Sequence, residues 1–203
     1  PFVKADTTIK VASALRASAI KSYYLDVRKL KRRLTFKVVD QLLAGLESKL
    51  YKALFFPHQK TDLTQEEILG TLNEIRENLI AKNNSLFLGL VDQLINRVRI
   101  FGLYFASLDI RQDSSVHHEV LKMIAEKTNA LPKNYKDLSE EDKIEALLSV
   151  TERVQPSVID HDIYQDTLYS IEAIKTIQKT NGELGCNRYI ISHSTTPLDI
   201  IEV

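Results

Sequence analysis

The sequence predicts a mainly helical chain with a few strands, of the kind in which strand-then-helix units belong to a partial α/β barrel or parallel sheet. Three observations carry this. Most of the 203 residues follow helical spacing of apolar positions, with cap signals at several starts. Two short runs, 103–110 and 188–192, are rich in β-formers. Each run leads into a helix start, so residues 103–126 and 188–203 read as two strand-helix units. The chain is therefore read as one stretch, 1–203, with a helical part at 1–100 and strand-helix units at 101–203.

Residues 5–33 predict one long helix, with Ile9, Ala12, Leu15, Ala19 and Tyr23 three or four apart. Lys29, Lys31, Arg32 and Arg33 crowd its end, where cations suit the helix dipole. A second helix over 36–55 presents Val38, Leu42, Leu46, Leu50 and Leu54, and Pro57 ends it. Thr64 followed by Glu67 is a capping box that opens a helix carrying Ile68, Leu72, Ile75 and Leu79. Residues 86–100 form a more apolar helix with Leu86, Leu90, Leu94 and Val98, predicted to be more deeply buried. After the first strand come helices over 116–126, from the Ser139 cap to 153, and over 162–179, the last stopped by Asn181-Gly182. Thr196-Pro197-Leu198-Asp199 marks a final helix start with few residues behind it. That unfinished start and the opening Pro1-Phe2-Val3 predict a piece cut from a longer chain.

Composition narrows the function classes. Hydrophobic residues at 44% and charged residues at 27% describe a folded globular chain. The 27 basic and 27 acidic side chains cancel, which argues against a nucleic-acid partner. No run reaches the roughly 18 apolar residues of a membrane span. The single cysteine, Cys186, has no nucleophile context and fits a reducing compartment.

Asp109-Ile110-Arg111-Gln112-Asp113 is the segment most able to carry chemistry. On a strand, Asp109, Arg111 and Asp113 share one face and Ile110 takes the other. Arginine near the carboxyl end of a strand can hold a phosphate or carboxylate in its planar fork, and ligands of α/β folds collect at those ends. On spacing alone the commoner outcome is an internal ion pair of Arg111 with Asp109 or Asp113. The run Ser192-His193-Ser194-Thr195-Thr196 could bind an anion at a helix start, though a plain cap is the commoner reading. His117-His118-Glu119 point in different directions on a helix and make a poor metal site, and His58 and His161 carry no signal. No Walker loop or dinucleotide glycine fingerprint occurs.

These residues resemble a family. Phe101-Gly102-Leu103, Leu108 to Ser115 and His118-Glu119-Val120-Leu121 are similar to the phosphoenolpyruvate carboxylase segment "FG…LDIRQ-S-RH-EVL". Val116 stands where that segment often has arginine. Tyr189-Ile190-Ile191-Ser192 and Thr196-Pro197-Leu198-Asp199-Ile200 resemble "YVISM…TPSDVL", with His193 in place of the methionine. Pro1-Phe2-Val3 resembles the tail of "GGDRDGNPFV". The resemblance implies a lyase that adds bicarbonate to phosphoenolpyruvate, giving oxaloacetate and phosphate with Mg2+ or Mn2+. It also implies carbon dioxide fixation that feeds the tricarboxylic acid cycle, a cytoplasmic location, a homo-oligomer (a tetramer in the family) and an eight-stranded barrel wrapped in helices. It implies that Arg111 binds the phosphate of phosphoenolpyruvate, with Asp109 and Gln112 as further substrate-binding candidates. The family's catalytic histidine in "TAHPTE", its metal-binding "PLFET" and "YSDSAKD" segments and its "GRGG" loop do not occur here. Neither catalytic residues nor metal ligands are therefore expected within the chain, and by itself it should be inactive. A helical interaction or scaffold domain, with the aspartates and arginine as an ion-pair cluster, is the alternative.

Overall fold

A computed structural model describes residues 4–56 and 63–203. Pro1-Phe2-Val3, Pro57 and His58 lie outside the described residues. The chain divides into two units. A helical unit comprises Lys10–Ser107 and Ile177–Gly185, and a strand unit comprises Pro1–Ile9, Leu108–Thr176 and Cys186–Val203.

The helical unit holds most of α1 (Ala5–Lys31), with α2 (Lys37–Phe55), α3 (Gln65–Lys82) and α4 (Leu88–Phe101). Its core joins Tyr23, Val27, Leu43, Leu50, Leu72, Ile75 and Val98, among others. Tyr23, fully buried, donates its hydroxyl to the Gly102 carbonyl at 2.6 Å, so the phenol meets no unpaired polar end. Thr64 caps α3 as predicted, accepting from the Glu67 N–H at 3.1 Å, and Ile68, Leu72, Ile75 and Leu79 are its buried stripe. The Glu67 carboxylate pairs with Lys49.

Two stripes differ from the expected ones. In α2 the buried residues are Val39, Leu43, Leu46 and Leu50, while Val38 is exposed. A strict four-residue repeat advances about 40° beyond a full turn at each step, so a long i+4 ladder drifts off the core face; the observed 4-3-4 spacing stays on it. In α4 the stripe is Val91, Leu94, Ile95 and Val98, and Leu86 is exposed ahead of the helix. Asn84, Ser85 and Phe87 all take positive φ, so the chain is still turning where helix was expected.

The predicted strand over 103–110 is displaced. Residues 102–106 form turns, with Gly102 at φ 48° and Phe105 at φ 63°, and the Phe105 N–H donates to the Phe101 carbonyl at 2.8 Å. A Cβ at position 102 would stand 2.6 Å from Tyr104 Cε1, so glycine is required there. The strand, β1, is Asp109–Asp113 instead.

In the strand unit β1 pairs in parallel with β2 (Arg188–Ser192), in the register Asp109↔Arg188 through Asp113↔Ser192. The expectation that the two strand segments lie side by side holds. Helix α5 (Ser114–Lys127) follows β1 directly; α6 (Glu140–Leu148), most of α7 (Asp162–Asn181) and a short α8 (Leu198–Ile201) complete the unit. α6 stops five residues short of the expected end. The Ser149 N–H is shared between the Glu145 and Ala146 carbonyls, a tightened last turn before the weak helix formers Val150 and Thr151. Gly182, at φ 90°, closes α7 as predicted. The core of this unit gathers Val120, Ile124, Ala125, Leu131, Tyr135 and Ile159.

Candidate functional site at the strand pair

Alternation sorts the ten strand residues onto two faces. Ile110 and Gln112 of β1, with Tyr189 and Ile191 of β2, face the helices of their unit. Gln112 donates its amide to Thr167 Oγ1 of α7 at 2.9 Å, and its carbonyl accepts the Asp113 N–H. Tyr189 meets His117 of α5, hydroxyl to Nε2 at 2.9 Å with the rings edge to face. Asp109, Arg111 and Asp113 occupy the opposite face together with Arg188, Ile190 and Ser192. Arg188, Arg111, Ile190 and Ser192 are all exposed there.

Spacing alone favoured an ion pair of Arg111 with Asp109 or Asp113, and Arg111 does pair with Asp109, at long range. Arg188 Nε reaches Asp109 Oδ1 at 2.7 Å, a charge-assisted hydrogen bond. Arg111 stands 3.7 Å from Asp109 Oδ2, too long for a hydrogen bond, and its side chain is 73% exposed. Asp113 is the N-cap of α5: its Oδ1 accepts the Ser115 N–H at 3.1 Å and the Ser115 hydroxyl at 2.7 Å. Its Oδ2 takes the Ser192 hydroxyl at 3.0 Å and His193 Nδ1 at 2.5 Å. These bonds, from Ser115 first and then His193 and Ser192, hold its carboxyl well below the usual range. Both aspartates flanking Arg111 thus have closer partners, and its planar fork faces outward.

The helix start after β2 is already satisfied. The N–H groups of Thr195 and Thr196 donate to Asp199 Oδ2 at 2.7 and 2.9 Å, which lowers the Asp199 pKa. The cap residue is Pro197 rather than Thr196, and no side chain caps it. The threonine cap expected from the sequence is therefore not formed; the Asp199 carboxylate takes up the N–H groups instead.

The adjacent histidines part company. His117 is buried, and that burial, with His118 next to it, lowers its pKa to about 4. It is a neutral imidazole hydrogen-bonded to the Tyr189 hydroxyl, whose own pKa burial raises. His118 lies between two buried carboxylates, Nε2 3.0 Å from Asp199 Oδ1 and Nδ1 2.8 Å from Glu202 Oε2. Tyr135 donates to Glu202 Oε1 at 3.1 Å, and burial raises the Glu202 pKa. Sequence reasoning missed this cluster, which ties α5 to α8 across about 80 residues. Nothing in the local sequence pointed to it, because His118 and its two carboxylates lie more than 80 positions apart.

A family model of phosphoenolpyruvate carboxylase matches residues 39–203. The chain belongs to the phosphoenolpyruvate carboxylase family. Among its curated relatives, the phosphoenolpyruvate carboxylase of Thermosynechococcus vestitus is 37% identical over 142 residues, 68% of this chain and 14% of that protein. That of a Synechocystis strain is 33% identical over 145 residues, 69% of this chain and 14% of the relative. The one from Nitrosomonas eutropha is 34% identical over 125 residues. The chain thus spans about 14% of the length of the first two phosphoenolpyruvate carboxylases. Among the described residues no group of three His, Cys, Asp or Glu side chains is disposed to hold a metal ion, and no helix is long and apolar enough to cross a membrane. The divalent metal implied by the family finds no ligand set among the described residues.

Proposed function

We propose that this chain supplies one phosphate-binding wall of a phosphoenolpyruvate carboxylase, with Arg111 as the residue that touches the substrate. The observation that carries the reading is the exposed guanidinium of Arg111, whose only ion pair among the described residues is a 3.7 Å contact with an aspartate held more closely by Arg188. A face bearing Asp109, Asp113, Arg111 and Arg188 is balanced in formal charge, yet the acids lie flat in bonds while the Arg111 fork projects. A phosphate is the ligand that such a fork matches with two parallel hydrogen bonds. The faces support a barrel origin. Helices cover one side of β1 and β2, as they do outside an α/β barrel, and the side carrying Arg111 is the one a barrel turns inward.

Asp109 then orients Arg111 rather than binding substrate, and Gln112 fixes β1 against α7. The reaction of the whole enzyme is carboxylation of phosphoenolpyruvate by bicarbonate to oxaloacetate and phosphate. It is placed in the cytoplasm, in a homo-oligomer, with Mg2+ or Mn2+ held by residues outside this chain. The 203 residues alone should show no carboxylase activity.

The test is made in the intact enzyme. Arg111→Ala removes charge-assisted hydrogen bonds worth about 1.5–3 kcal/mol each. kcat/KM should fall by roughly ten- to a hundredfold or more. Arg111→Lys should recover part of the loss, keeping charge without the fork. Melting curves control for folding, which the exposure of Arg111 should leave intact. An unchanged kcat/KM in a folded Arg111→Ala enzyme would show that the arginine does not bind the phosphate.

A further inference from the structure

The helical unit carries a cavity of about 400 Å3 between the end of α1 and the start of α4. That size is within the range of small-molecule sites. Leu30 and Leu94, both buried, and Leu90 give it an apolar floor. Four cationic side chains line it, Lys29, Arg32, Arg33 and Arg97, against a single carboxylate, Asp26; Gln93 adds a neutral amide.

The cations differ in what already holds them. Asp26 pairs with Arg97 from α4 and lies 3.5 Å from Lys29. Arg28 and Lys31, on the same last turn of α1, share one carboxylate, Glu47, at 3.5 and 3.0 Å. Arg32 and Arg33 follow the last residue of α1, are exposed, and have no carboxylate partner among the described residues. Cations at a helix end do answer the dipole. That accounts for charge on α1, but not for Arg97 arriving from another helix to the same cavity. Four positive charges less one negative leave the lining at a formal +3.

We infer that this cavity binds a phosphorylated small molecule carrying at least two negative charges. The guanidinium forks of Arg32 and Arg33 take phosphoryl oxygens, Lys29 and Arg97 add positive potential, and the leucine floor takes the carbon frame. Its residues belong to the helical unit and Arg111 to the strand unit, so the inference does not rest on the proposed reaction.

The test uses the intact protein that carries this chain, with inorganic pyrophosphate as the probe and hydrogen–deuterium exchange as the readout. Local exchange distinguishes this cavity from any phosphate site elsewhere. Peptides covering 26–33 and 90–97 should gain protection saturably with pyrophosphate, and sodium chloride at the same ionic strength should not reproduce it. Arg32→Ala/Arg33→Ala should raise the half-saturating concentration at least tenfold, and Arg32→Lys/Arg33→Lys should raise it less. Arg153→Ala, an exposed arginine of the strand unit, should leave it unchanged. Protection already complete without the probe would mean that another protein surface covers the cavity, and the inference would fall. It would equally fall if protection were absent, if salt reproduced it, or if the double alanine variant, shown folded by its melting curve, kept the original affinity.

Discussion

Mild acid should unfold the strand unit through His117. The residue is 2% exposed, and burial holds its pKa near 4 against an ordinary value of 6.5. Between those values the unfolded chain binds a proton that the folded chain refuses. Stability therefore rises with pH across this window and is lost as pH falls from about 7 toward 4. A shift from 6.5 to about 4 corresponds to roughly 2 kcal/mol lost by pH 5 and about 3 kcal/mol by pH 4. Urea unfolding followed by circular dichroism at pH 7 and pH 5 measures the loss. The comparison is with His117→Phe/Tyr189→Phe, which replaces both hydrogen-bond partners by apolar rings of similar shape. The double variant should lose about 2 kcal/mol less than the parent between the two pH values. Equal losses would refute the assignment of a buried neutral imidazole.

Two further outcomes test the local structure, both read from urea midpoints. Thr64→Ala should cost about 1 kcal/mol by removing the side-chain cap of α3. Gly102→Ala should cost clearly more than Gly182→Ala: both glycines have positive φ, worth about 1 kcal/mol, but only at 102 does the new Cβ meet Tyr104 and Gln65 within 3 Å.

What the sequence revealed depended on the range of the interaction. Thr64 and Glu67 are three residues apart, and so are the contacts that make them a cap; the α3 stripe was legible for the same reason. Period-two alternation correctly put Asp109, Arg111 and Asp113 on one face once β1 was placed. The placement itself was read too early, because Leu103, Tyr104 and Phe105 look like strand formers. Their composition is overridden by a turn, in which Phe101 and Phe105 stack at 5.5 Å across it. The i+4 ladders drawn on α2 and α4 failed from arithmetic, since 3.6 residues per turn does not keep a strict four-residue repeat on one side. His118 gave no local sign at all. Its partners Asp199 and Glu202 lie 81 and 84 positions on, and only the fold brings them together.

The same long range decides the charge state of the candidate site. Local spacing offers Arg111 two aspartates, and an isolated strand would let it pair with either. The parallel register places Arg188 directly opposite Asp109, on the same face, where its bond is 1.0 Å shorter than the contact of Arg111. A register slip of one residue would turn Arg188 to the helix side and return Asp109 to Arg111. At the other end of β1, Ser115, Ser192 and His193 fill the acceptor sites of Asp113. The proposed phosphate contact is thus prepared by groups that never touch the phosphate. The parallel pairing of β1 with β2 leaves Arg111 only a 3.7 Å contact on an exposed face, and the proposed phosphate role rests on that loose, outward guanidinium.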